Sequence, residues 1–141
     1  MRRANLVALL CLGLLSALAL AGCSLFPGSW ELYGTWTNPD YNGMLGGPPA
    51  KIVINENGTE QYYNNVSDTI PLATVDYAIL DDWTDSGIHW YKSLSDSGGT
   101  PMYTLIKLYD SGNTMESNSD LSTYPTTIDP SGSYYGIFYR Q

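Results

Sequence analysis

Ala73-Thr74-Val75-Asp76-Tyr77-Ala78-Ile79-Leu80-Asp81-Asp82-Trp83, then Thr84-Asp85-Ser86-Gly87, then Ile88-His89-Trp90-Tyr91-Lys92-Ser93-Leu94, is the stretch that decides the fold. Val75, Tyr77 and Ile79 alternate with Thr74, Asp76 and Ala78. A period of two sends the two sets to opposite faces of a pleated strand. Asp85-Ser86-Gly87 then offers a reversal, with an Asp side chain to cap it and a Gly to take positive φ. An aromatic-rich run resumes on the far side, so the unit reads as a β-hairpin. Asp-Ser-Gly recurs at Asp96-Ser97-Gly98 and at Asp110-Ser111-Gly112. None of the three segments carries the dense, evenly spaced oxygens of a calcium loop, so turn chemistry explains the recurrence.

Working outward, the same alternation of short aromatic or β-branched runs with turn residues covers the chain from Glu31 onward. Strands are expected at 32–37, 51–55, 59–64, 73–83, 88–94, 102–109, 114–119 and 134–140. Asn57-Gly58 joins the second and third as a tight hairpin. A Gly- and Pro-rich loop at 38–50 separates the first two, and a loop carrying Pro125 and Pro130 precedes the last. No stretch repeats apolar residues at helical spacing. The expected fold is all-β: a small, eight-stranded, antiparallel up-and-down barrel at 31–141. Closure removes exposed edges, and eight strands leave an interior that side chains fill or that holds one small ligand.

The chain has 141 residues and a formal net charge of −8. Its first 22 residues read as a secretory signal rather than as part of the barrel. Arg2 and Arg3 precede a run from Leu6 to Ala21 that is apolar except for Gly13 and Ser16. Removal of this segment takes Arg2, Arg3 and Cys11 with it, so the net charge becomes −10 and Cys23 is the only cysteine left. That excludes an internal disulfide and a cysteine-based zinc site. No second apolar run approaches the roughly 18–20 residues of a membrane helix. An acidic chain with its few cations scattered (Lys51, Lys92, Lys107, Arg140) is no partner for nucleic acid.

Leu20-Ala21-Gly22-Cys23 resembles a bacterial lipobox. The resemblance implies cleavage before Cys23, acylation of its thiol by palmitate-like chains, and a mature lipoprotein held to the membrane without spanning it. Residues 23–30 then form the lipidated Cys and a short tether, with Pro27 and Gly28 breaking regular structure. Ser24, rather than Asp, implies an address at the outer membrane of the cell envelope.

Gly34-Thr35-Trp36, at the entry to the first strand, resembles the Gly-x-Trp signature of lipocalins and the wider calycin group. In that family the Trp plugs the closed end of the barrel, and an Arg at the end of the last strand packs across its ring. Here Arg140 stands at that place and is the only Arg of the mature chain. The resemblance implies a barrel-closure pair, Trp36 and Arg140, with Gly34 completing the signature. It also implies a lumen for a small hydrophobic molecule. The domain is shorter than a standard lipocalin and leaves no room for the helix that follows the family's barrel.

The aromatic residues bear on what the lumen does. Tyr77, Trp90 and Phe138 are the candidate ligand-lining residues; the alternative is a filled core whose loops contact other proteins. His89 stands alone and cannot build a typical zinc site. Asp81, Asp82 and Asp85 read as a solvated hairpin. No Gly-x-Ser-x-Gly elbow and no paired-carboxylate arrangement is visible. The expectation is therefore a non-enzymatic, cofactor-free and metal-free binding module, or a structural lipoprotein.

Overall fold

A computed structural model describes residues 31–40 and 47–141. The signal segment, Cys23 and the tether 23–30 lie outside the described residues. Eight strands form: β1 Gly34–Thr37, β2 Lys51–Ile54, β3 Thr59–Tyr63, β4 Ala73–Asp85, β5 Ile88–Asp96, β6 Pro101–Tyr109, β7 Thr114–Asp120 and β8 Tyr135–Arg140. They close into a barrel in which each strand is antiparallel to its neighbour in sequence, and β8 returns to β1. The expected all-β up-and-down barrel is the fold.

The local chemistry sets the boundaries. β4 and β5 meet through Ser86-Gly87, with Asp85 paired to Ile88 and positive φ at both turn residues. This two-residue reversal matches the right-handed twist of the strands it joins. β1 begins at Gly34, two residues later than alternation suggests, because the carbonyls before it are used by side chains. Leu32 O accepts the Trp36 indole N–H at 2.8 Å, and Tyr33 O accepts from Arg140 at 2.9 Å. β4 runs on to Asp85, but its pairing with β3 stops at Asp76. From Ile79 onward β4 pairs with β5 alone, and the register shifts between Ile79 and Asp81. Asp81, Asp82 and Asp85 stand along this free edge, where charge and a bulge discourage further strand pairing.

The barrel has a closed and an open end. Glu31–Tyr33, the hairpins at 55–58, 86–87 and 110–113, and the C-terminus gather at the closed end. Its core is Leu32, Trp36, Ile54, Tyr91, Leu108 and Met115, all nearly without solvent contact. Residues 38–40 and 47–50 and the loops 64–72, 97–100 and 121–134 surround the open end. The last of these folds back over the outside of β6 and β7: Asp129 N–H donates to Asn118 Oδ1 at 2.9 Å, and Tyr124 packs edge-on against Tyr103. That cover explains why Leu105 and Asn118, which face outward, are buried.

The seam between β1 and β8 is short, with only Trp36 opposite Arg140 and Thr37 opposite Tyr139. Arg140 reinforces it. Its Cζ lies 4.4 Å from the centroid of the Trp36 ring. Nε donates to Gly112 O at 3.0 Å, Nη1 to Tyr33 O at 2.9 Å, and Nη2 to Glu31 O. One planar guanidinium thus covers the plug and satisfies three loop carbonyls, a geometry an ammonium does not reproduce. Gly34 has φ +131, and a Cβ there would lie 3.2 Å from Arg140 Nη1. Both its backbone conformation and its proximity to the guanidinium call for glycine.

Candidate functional site

Along β5, β6 and β7 the inward positions change character from the closed end to the open end. Tyr91 is followed by Ser93 and Ser95; Leu108 and Ile106 give way to Thr104; Met115 gives way to Ser117 and Ser119. The open half of the lumen is a cavity of about 540 Å³. This lies within the range of small-molecule sites. Its wall is apolar at Ile52, Ile54, Ile106, Met115 and Phe138. It is polar at Glu60, Tyr62, Ser93, Thr104, Ser117 and Ser119, and Pro48, Pro49, Leu72 and Tyr134 line it as well. Gly136 helps keep the space open. A Cβ there would come within 2.6 Å of the Phe138 ring and 3.0 Å of Pro48, so any side chain would displace both.

Glu60 is the one charged residue of this wall among those described. The Asn57-Gly58 reversal pins it opposite Ile54, and the β3–β4 register sets it opposite Val75. Both partners face the lumen, so Glu60 does too. It is 8% exposed. Its Oε2 accepts the Tyr62 hydroxyl at 2.8 Å, and the same hydroxyl lies 3.4 Å from Ser95 Oγ. Burial pushes the Glu60 carboxyl up to about 7, against a smaller opposing effect from the Tyr62 hydrogen bond. Burial first, then the negative charge of Glu60, raises the Tyr62 phenol above its ordinary range. The Tyr77 hydroxyl has Ser93 and Glu60 as polar neighbours, is fully buried, and makes no hydrogen bond of standard geometry. Opposite this group, the Thr104 and Ser119 hydroxyls bond to each other at 2.8 Å.

The residues singled out from sequence fall in different places. Trp36, Gly34 and Arg140 meet at the closed end. Phe138 lines the cavity. Tyr77 is buried in the core beneath it rather than on its wall. Trp90 is on the outer face. It sits opposite Trp83, and the two indoles stack with centroids 6.0 Å apart and planes 6° from parallel. The register shift in β4 and the two-residue turn after it fix that orientation, so Trp90 does not line the lumen. Lys92, beside this stack, lies 5.6 Å from the Trp83 ring.

The Glu60 group was not foreseen, although the hairpin at Asn57-Gly58 carried the signal. With Ile52 and Ile54 inward, a tight turn forces Glu60 and Tyr62 inward as well. His89 also found a partner in a place sequence did not indicate. Its Nδ1 lies 2.6 Å from Glu31 Oε2 at the closed end, and the Tyr91 hydroxyl is 3.3 Å from both. This trio fastens the segment before β1 to β5. Among the described residues no group of three or more His, Cys, Asp or Glu side chains is placed to share a metal ion. No family model matches the chain, and neither a curated protein nor a solved structure does so significantly.

Proposed function

We propose that this chain is a lipoprotein of the cell envelope whose lipocalin-like barrel binds a small, largely apolar molecule in the open half of its lumen, without catalysing its conversion. The cavity of about 540 Å³, walled largely by apolar side chains and open to solvent, carries this reading. It favours a binding module over a barrel whose core is filled. The seven residues 24–30 would tether the domain to lipid at Cys23, with Ser24 directing it to the outer membrane. Glu31, the first described residue, lies at the closed end, so the mouth opens away from the point where the tether would join the barrel.

Fluorescence titration of the full chain with N-phenyl-1-naphthylamine, a neutral apolar probe, tests the binding. A stoichiometric rise in emission is expected, abolished by Ser117→Phe, which places a ring in the lumen. Absence of any saturable rise in the unaltered chain would overturn the reading. The anchor has its own test: Cys23→Ala should move the protein from the detergent phase to the aqueous phase, and equal partitioning would show that acylation does not hold it.

A further inference from the structure

We propose that the ligand is an amphiphile carrying a protonated amine, its ammonium seated on the Glu60 carboxylate and its apolar body against Ile52, Ile106 and Phe138. This rests on the binding role proposed above and names the chemistry of its ligand.

Only half of the Glu60 carboxylate is used. Oε2 holds the Tyr62 hydroxyl, while Oε1 accepts no hydrogen bond from a described residue and faces the cavity. The groups around it supply no counter-charge. Tyr62 on β3 and Tyr77 on β4 are neutral phenols, Ser93 and Ser95 on β5 are hydroxyls, and Ile54 on β2 is apolar. No Lys, Arg or His lines the cavity among the described residues. A ligand carboxylate or phosphate would therefore find no cation to pair with, and would face a like charge wherever Glu60 is ionised. An ammonium reverses this: it meets the free oxygen in a charge-assisted hydrogen bond and pairs a charge that burial otherwise disfavours. Hydroxyls of Ser93, Thr104, Ser117 and Ser119 line the same cavity, so its remaining N–H groups meet a wall that carries acceptors. The chain's net charge, −8 in full and −10 without residues 1–22, also favours the approach of cations.

A proton count follows from the same site. Burial holds the Glu60 carboxyl up to about 7. At pH 6 an arriving ammonium displaces its proton; at pH 8 the carboxylate is already ionised and no proton leaves.

The test is calorimetric titration of the full chain with decylamine, decan-1-ol and decanoic acid at pH 6 and pH 8, in buffers of different ionisation enthalpy. Decylamine should bind at least about tenfold more tightly than decan-1-ol, and decanoic acid more weakly than either. Proton release on decylamine binding should appear at pH 6 and vanish at pH 8. Glu60→Gln should abolish the preference for decylamine over decan-1-ol. Tyr62→Phe, which keeps the carboxyl, should retain the amine preference. Decan-1-ol binding with no preference for the amine, or a preference that survives Glu60→Gln, would overturn this inference alone. Failure of all three probes to bind would overturn the binding role together with it.

Discussion

At the closed end of the lumen, Leu32, Trp36 and Tyr91 are wholly without solvent contact. Toward the open end the same barrel presents Tyr62, Ser93, Thr104, Ser117 and Ser119 to a cavity that Glu60 also lines. The same strands supply both, one or two pleats apart. Ser93 follows Tyr91 on β5, and Ser117 follows Met115 on β7. Strand alternation decides which residues face the lumen, but only the identity at each level decides whether a level is filled or left open. Large aromatic and aliphatic side chains at one level interlock; hydroxyls at the next leave room. Stability is therefore concentrated at one end, and the other is free to carry a polar group that a packed core would not tolerate.

The sharpest way to break this division is to remove the plug. Trp36→Ala should destabilise the barrel by about 3–5 kcal/mol, from lost burial plus the cavity left behind. Urea denaturation monitored by far-ultraviolet circular dichroism measures it. A cost below about 1 kcal/mol would show that the closed end is not where stability lies.

Glu60 tests the open end from the opposite direction, since there the native residue is expected to be the destabilising one. Its carboxyl stands near 7 when folded against 4.5 for the ordinary side chain. Between those two values the folded chain keeps a proton that the unfolded chain has released, so this group's contribution to stability is fully present below about pH 4.5 and is lost as pH rises to about 7. Glu60→Gln keeps an acceptor for the Tyr62 hydroxyl and does not titrate. The variant should match the parent near pH 4 and exceed it at pH 8 by up to about 3 kcal/mol. Equal stability at both pH values would mean that the carboxyl is ionised at no cost in the cavity.

Arg140 binds the closed end to the barrel seam. Arg140→Ala removes the ring contact at 4.4 Å and leaves three carbonyls short of a donor. A loss of about 2–3 kcal/mol is expected, and Arg140→Lys should recover less than half of it. A double-mutant cycle with Trp36→Phe should show coupling of about 0.5–1 kcal/mol, and strict additivity would separate the guanidinium from the plug.

The ease of reading the two ends differed for physical reasons. All eight strands were legible because alternation and turn residues are local. The closure pair was legible because Gly34-Thr35-Trp36 resembles the Gly-x-Trp signature of lipocalins, a resemblance that implies a partner at Arg140. The facing of Trp90 was not, because the register shift between Ile79 and Asp81 reverses the phase of β4. A bulge leaves no residue type that marks it. The Glu60 site lies between these cases. Its inward orientation followed from one hairpin, but its meaning depended on the hydroxyls of β5, β6 and β7, which are brought beside it only by closure. Individually those Ser and Thr residues look like ordinary strand or turn material.

The smallest effect belongs to those hydroxyls, and it sharpens the comparison most finely. Thr104 Oγ1 and Ser119 Oγ hydrogen-bond to each other across β6 and β7 at 2.8 Å. Thr104→Val removes that bond while keeping the branched shape. In a sealed core the orphaned Ser119 hydroxyl would cost roughly 1–3 kcal/mol. Here both side chains line an open cavity, so water can replace the lost partner and the cost should stay below about 0.5 kcal/mol. Affinity should respond differently: with one acceptor gone from the wall, decylamine binding should weaken severalfold while decan-1-ol binding holds. A stability loss above about 1 kcal/mol would place Thr104 in the packed half of the lumen, and the boundary between the two ends would have to be drawn nearer the mouth.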